Sequence, residues 1–160
     1  MHRINRLMPD DDARAFLRTK KVAHAATVDA AGWPYVVPLI YIYEGGDQLY
    51  VHTGNHAGHF QRNIESRPRV CIEVADIGPV HQGHPFACNS ALAYTSVIAF
   101  GTVRIVNDRS RKAWFFDRVL EKYGQSDWTF EPGYPHLDRI VLYEQEIEVM
   151  TGKHSEGLYH

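Results

Sequence analysis

The sequence predicts a mainly β, antiparallel domain in which about six strands close, or split, into a barrel with two or three helices packed against it. Three observations carry that expectation. The stretch from Ala23 to Tyr50 reads as consecutive strands parted by two different tight turns, the order of a β-meander. Ala91 to Val106 and Arg139 to Met150 are long runs in which β-branched and apolar residues dominate. No repeat, low-complexity tract or linker interrupts the chain, so residues 1–160 make a single domain.

The elements follow in order. Asp10 is placed to cap a short helix through Thr19, with Asp11 and Asp12 in its positive first turn and Ala13, Phe16 and Leu17 on its inner face. Ala23 to Val28 is a strand, Asp29-Ala30-Ala31-Gly32 supplies turn chemistry, and Tyr35 to Tyr43 is a second strand. Glu44-Gly45-Gly46-Asp47 turns the chain again, because glycine reaches positive φ without steric penalty, and Gln48 to Thr53 returns as a third. Pro38 is the anomaly of the second strand. It cannot donate to a ladder, so it belongs at an edge, a bulge, or a place where something other than a strand approaches the backbone.

A second helix spans about Ala57 to Glu65 and is stopped by Ser66-Arg67-Pro68; Val70 to Ala75 is a strand. Asp76 to Asn89, rich in Gly, Pro and His, reads as a loop, and the strand from Ala91 to Val106 is kinked at Gly101. Arg109 to Tyr123 has the helical period, with Ala113, Phe116, Val119 and Leu120 inward, Asn107 or Asp108 as its cap and Gly124 as its end. Gln125 to Asp138 is irregular, and Arg139 to Met150 is the last strand.

Composition narrows the partners. The chain is 44% hydrophobic and 22% charged with a net charge of −2, which gives no basic stripe for nucleic acid and no polybasic membrane anchor. No run approaches the roughly 20 apolar residues of a membrane span. A cytoplasmic location is expected, with Cys71 and Cys88 as reduced thiols rather than a disulfide scaffold. Among the ten histidines, His56-x-x-His59 and His81-x-x-His84 lack the spacing and partners of a zinc set, so no metal is expected. No phosphate loop or nucleophile motif is evident.

Gly32, Pro34, Tyr35, Val36, Val37, Pro38, Leu39 and Tyr41, then Leu49-Tyr50-Val51-His52-Thr53 and Gly58-His59, resemble the FMN-binding split-barrel family related to pyridoxamine 5′-phosphate oxidase. The likeness is strongest to the branch of nitroimidazole-resistance flavoproteins. Tyr94-Thr95-Ser96-Val97-Ile98-Ala99-Phe100-Gly101 and Thr151-Gly152-Lys153 agree in order and spacing, so the resemblance covers nearly the whole chain.

The resemblance implies FMN bound at the interface of a homodimer. It lays Val37, Pro38, Leu39, Ile40 and Tyr41 along the isoalloxazine, which would explain Pro38 as a point where ladder pairing gives way to ligand. Read without it, Pro38 sits at a barrel bulge. His52, Thr53, Gly58, His59 and Arg62 fall where a strand end meets a helix N-terminus, a place for the phosphate. The family commonly has Lys or Arg at the position of His59, so histidine here lowers the expected affinity and makes it pH-sensitive. The plain reading of this segment is a polar surface turn, and His56 is read that way.

Ser96, with Val97 beside it, matches a position that touches the flavin ring or ribityl chain; alone, Ser96 is a core hydroxyl with a backbone acceptor. Lys153 resembles a position near the flavin reached across the dimer interface, or is simply solvated. Trp33, Tyr35, Trp128, Phe130 and Tyr134 lie in or beside turns and loops, either as the wall of a shallow site over the flavin or as seals of the dimer. True pyridoxamine 5′-phosphate oxidases carry a C-terminal segment with arginine and histidine that handles the substrate phosphate; here only His154 to His160 follow Lys153, so oxidation of that vitamer is not expected. The expected activity is an FMN-dependent oxidoreductase moving hydride or electrons between NADH or NADPH and a small organic acceptor, nitroaromatic or quinone-like; the alternative is a non-catalytic flavin- or haem-binding protein.

Overall fold

The computed structural model describes residues 6–157. Their order is α1 (Asp10–Thr19), β1 (Val22–Val28), β2 (Pro34–Tyr43), β3 (Gln48–Gly54), α2 (His59–Ser66), β4 (Arg69–His81), β5 (Ala91–Val106), α3 (Arg109–Tyr123) and β6 (Ile140–Ser155), with 3₁₀ turns at Ala87–Asn89 and Leu137–Arg139. The six strands form a closed antiparallel ring, β1-β2-β3-β6-β5-β4, as the sequence predicts.

Alternation along the strands sends one set of side chains inward. Ala23, Ala25, Tyr41, Val51, Ile72, Val74, Val97, Ala99 and Tyr143 fill the barrel and are 0–1% exposed. α2 closes one end with Phe60 and Ile64, and its buried Asn63 donates to Thr27 at 2.9 Å. α1 closes the opposite end with Ala13 and Leu17, where the Tyr41 hydroxyl donates to the Leu17 carbonyl at 2.6 Å. α3 lies outside the barrel over Ile42, Tyr50, Val106 and Leu142, forming a second small core around Phe115.

Several boundaries differ from the sequence reading. Asp10 is the first helical residue of α1 rather than its cap, and Pro9 takes the N-cap place. α2 starts at His59 and not Ala57, which has a positive φ of 48°. The expected loop from Asp76 is strand as far as His81, because the start of β5 offers a ladder to Ile77, Val80 and His81, and a bulge absorbs Gly78-Pro79. β6 runs on to Ser155, so Thr151-Gly152-Lys153 lies within a strand. In α3, Phe115 is the residue fully buried against the barrel, while Phe116 and Val119 pack at its margin. Asp108 does cap α3, accepting from the Arg111 amide at 2.7 Å, and Gly124 does end it.

Candidate functional site

The ring has two short seams: β1 and β4 pair only from His24↔Glu73 to Ala26↔Cys71, and β2 and β3 only at Tyr41↔Val51, Ile42↔Tyr50 and Tyr43↔Leu49, after which β3 pairs with β6 alone and β2 with β1 alone. Hydrogen-bonding residues alternate along an antiparallel strand. The Asp29 amide donates to the Trp33 carbonyl, and Tyr41 spends both backbone groups on the Tyr123 hydroxyl, which also reaches Lys21 just before β1. The odd-numbered residues of β2 therefore face β1. Val36, Pro38 and Ile40 turn their backbone groups to the split, where no described strand pairs with them. Proline at the middle of that edge leaves no amide stranded there.

At one end of the split stands the N-terminus of α2. Its first turn has no side-chain cap, and a Cβ at Gly58 would meet nothing within 4 Å, so the amides open to solvent. His59 stacks on Tyr35 of β2 with centroids 4.5 Å apart and planes 3° from parallel, and its Nε2 is 3.8 Å from Asp29. The Arg62 guanidinium folds back onto the Ala57 carbonyl. Thr53 pairs its hydroxyl with that of Tyr143 at 3.1 Å.

At the other end the split opens into a cleft of about 530 Å³ between the barrel and α3, with Ile40 and His52 on one side and Trp128 and Phe130 on the other. His52 meets Phe115 and Phe116 edge to face, both at 5.3 Å, and its buried Nδ1 has no hydrogen-bond partner. Burial pushes the pKa of this imidazole below its ordinary value.

The structure thus divides the residues singled out in the sequence. Pro38, Ile40, His52, Thr53, Gly58, His59 and Arg62 gather along the split. Val37 and Leu39 point toward the core, and Tyr41 is buried with its hydroxyl and backbone both engaged. Ser96 and Lys153 face each other across the β5–β6 ladder, on strands that do not neighbour β2 in the ring, and Val97 is wholly buried beside them. The single chain does not bring these two groups together. Trp128 and Phe130 join Ile40 at the cleft, whereas Trp33 and Tyr35 sit at the α2 end.

Sequence reasoning missed Lys122 and Tyr123. They seal the gap where β1 begins later than β2 needs it: Lys122 donates to the Tyr41 carbonyl at 3.3 Å and lies 3.9 Å over the Tyr41 ring. Burial lowers the Lys122 pKa to about 8. Their positions in a helical repeat carried no signal of that role. Of the short tail, residues 158–160 lie outside the described residues. No helix among the described residues is long and apolar enough to cross a membrane.

Solved structures share this architecture. A 5-nitroimidazole antibiotic resistance protein of Bacteroides thetaiotaomicron, described as putative, superposes with a TM-score of 0.77 at 23% identity, covering 92% of this chain and 85% of its own. A flavocytochrome of Azotobacter vinelandii gives 0.83 at 19% identity, over 99% and 73%. An FAD-binding protein of Mesorhizobium loti gives 0.69 at 25% identity, over 94% and 98%. No curated protein matches the chain. The family model for pyridoxamine 5′-phosphate oxidase matches residues 9–154, a span that takes in both ends of the split, the cleft and the Ser96–Lys153 pair: the chain belongs to the pyridoxamine 5′-phosphate oxidase family.

Proposed function

We propose that this chain is a flavin-dependent oxidoreductase that holds FMN in the β2–β3 split and passes electrons from a reduced nicotinamide to a small organic acceptor, nitroaromatic or quinone-like, in the adjoining cleft. The observation that carries the reading is the unpaired edge of β2 at Val36, Pro38 and Ile40, set between an open helix N-terminus and an aromatic cleft. Those backbone groups suit the polar edge of a flavin ring, and the α2 amides with His59 suit a phosphate. Ile40 and His52 would flank the ring where split and cleft meet. When bound, the flavin supplies the two-electron redox chemistry, and the protein supplies position and electrostatics. His52, kept neutral by burial, has one nitrogen with a proton and one without, so it can donate or accept a single hydrogen bond at the cleft wall.

The partner in this reading is a second copy of the chain. Val36, Ala26, Cys71, Phe100 and Val149 are successive ladder neighbours on the outside of the barrel, forming an apolar row across five strands. Val36, Phe100 and Val149 are 59%, 49% and 55% exposed, more apolar surface than a solvated face needs. Pairing two such rows would bury them and carry Ser96 and Lys153 of one copy toward the split of the other. Free Cys71 and Cys88 suit the cytoplasm, where reduced nicotinamide is also at hand.

The unpartnered His52 in a roomy aromatic cleft favours one second reading, a haem-binding protein with an imidazole ligand. The test is the absorption spectrum of the purified protein, chromatography of the released chromophore, and NADH or NADPH oxidation with an acceptor present. A two-banded flavin spectrum, released FMN and acceptor-dependent turnover support the first reading. A haem band without turnover supports the second, and a colourless protein that takes up neither group sinks both.

A further inference from the structure

Beside the cleft is a second, smaller cavity of about 230 Å³, and the two adjoin at Phe116 and Phe130, which line both. The larger falls within the roughly 300–1,000 Å³ of ordinary small-molecule sites, and the smaller falls short of it. It therefore makes sense as an extension. The two differ in chemistry. The cleft carries His52, Asp127 and Thr129 among its apolar groups; Glu131, His136 and Arg139 also border the extension, but the surface it presents is almost wholly apolar and comes mainly from Tyr134, Pro135, Leu137 and Ile140 with the two shared phenylalanines.

The extension is a built feature rather than a packing gap. Phe116 and Phe130 meet edge to face at 5.4 Å, and Phe130 leans on Tyr134 at 5.6 Å. Tyr134 has a φ of 51°, a left-handed conformation that costs a residue with a Cβ. α3 holds it there: Asp117 accepts from its hydroxyl, and Arg109 donates to its carbonyl at 3.0 Å and to that of Gly133 at 3.2 Å. The cavity opens at the surface, with Phe130, Pro135 and His136 exposed around it, and an apolar recess held open to water is a place for an apolar ligand.

We propose that the acceptor is a quinone bearing an apolar side chain, its ring in the cleft beside His52 and its chain passing Phe116 and Phe130 into the extension. The inference rests on the redox reading above. The reaction balances as NAD(P)H plus quinone plus one proton giving NAD(P)⁺ plus quinol: hydride brings two electrons and one proton, and the second proton comes from solvent. A compact nitroaromatic would leave the extension empty.

The experiment compares duroquinone, which has no chain, with decylubiquinone in steady-state assays of the flavin-loaded protein. The expected result is a KM for decylubiquinone lower by about ten-fold or more, since each buried methylene contributes. Ile140→Phe, which fills the extension from its rim, should erase that preference while leaving the duroquinone KM and the flavin content unchanged. Equal KM values in the native protein overturn the proposal, as does a variant that weakens both quinones alike. Quenching of Trp128 fluorescence by decylubiquinone in flavin-free protein, with Trp128→Phe as control, separates the two claims. Binding without turnover supports the chain site and defeats the redox reading; duroquinone turnover with no chain preference does the reverse.

Discussion

Pro38 sits in the register of β1, opposite His24, and on the side of β2 that no described strand covers. His52 and Tyr123 complete this edge in different ways. The unfolded chain takes up a proton on His52 near its ordinary pKa of 6.5, whereas the folded chain, with that pKa lowered, resists it. Acidification below that value therefore favours unfolding, and stability falls with pH until the folded imidazole titrates too. Thermal melts of His52→Gln between about pH 7 and about pH 5 should lose part of this slope. The sign for Lys122 is the same and for the same reason, since burial disfavours its charged form too. Between about 8 and 10.5 the unfolded lysine holds a proton that the folded one has shed, so stability rises with pH there, and Lys122→Met should flatten the rise. Tyr123→Phe removes the one acceptor of the Tyr41 amide, and chemical denaturation should show a loss of about 1–3 kcal/mol.

α3 is the element on which the cleft depends, because it supplies one wall and anchors the Gly133–Tyr134 turn. Its start rests on Asp108, and Asp108→Ala should cost about 1 kcal/mol in a denaturant titration. β5 and β6 depend on Gly101 at the bulge. A Cβ built there would lie 1.8 Å from the Glu146 carbonyl oxygen, so the backbone has to move. Gly101→Ala should therefore destabilise by about 3 kcal/mol or more, read from the same titration. The Asp108 cap and the special place of Gly101, where the β5–β6 register shifts, were both legible in the sequence, since each shows in one residue and its immediate neighbours. The length of β4 was not, because Gly78-Pro79 reads locally as a breaker and only the facing β5 keeps the strand going beyond it.

At the scale of the molecule the apolar row on the barrel exterior makes the assembly testable. Phe100→Asp places a charge at its middle and should convert a dimer into a monomer in analytical ultracentrifugation. Flavin content should fall with it if the partner supplies Ser96 and Lys153. An unchanged sedimentation coefficient would remove the row from the interface.

Legible in the sequence were about six antiparallel strands in a barrel, two or three helices and the odd place of Pro38, because alternation, turn residues and caps act over a few neighbouring positions. The sequence also brought together the residues of β2, β3 and α2 that line the split, since they follow one another along the chain. Long-range pairing makes β3 leave β2 after Tyr41, freeing the edge at Val36, Pro38 and Ile40. The same long-range pairing makes Trp128 and Phe130 roof a cleft beside His52 and keeps Ser96 and Lys153 on β5 and β6, away from the free edge of β2. Such facts depend on which distant segments the closing of the ring places side by side, and no local pattern of residues encodes that.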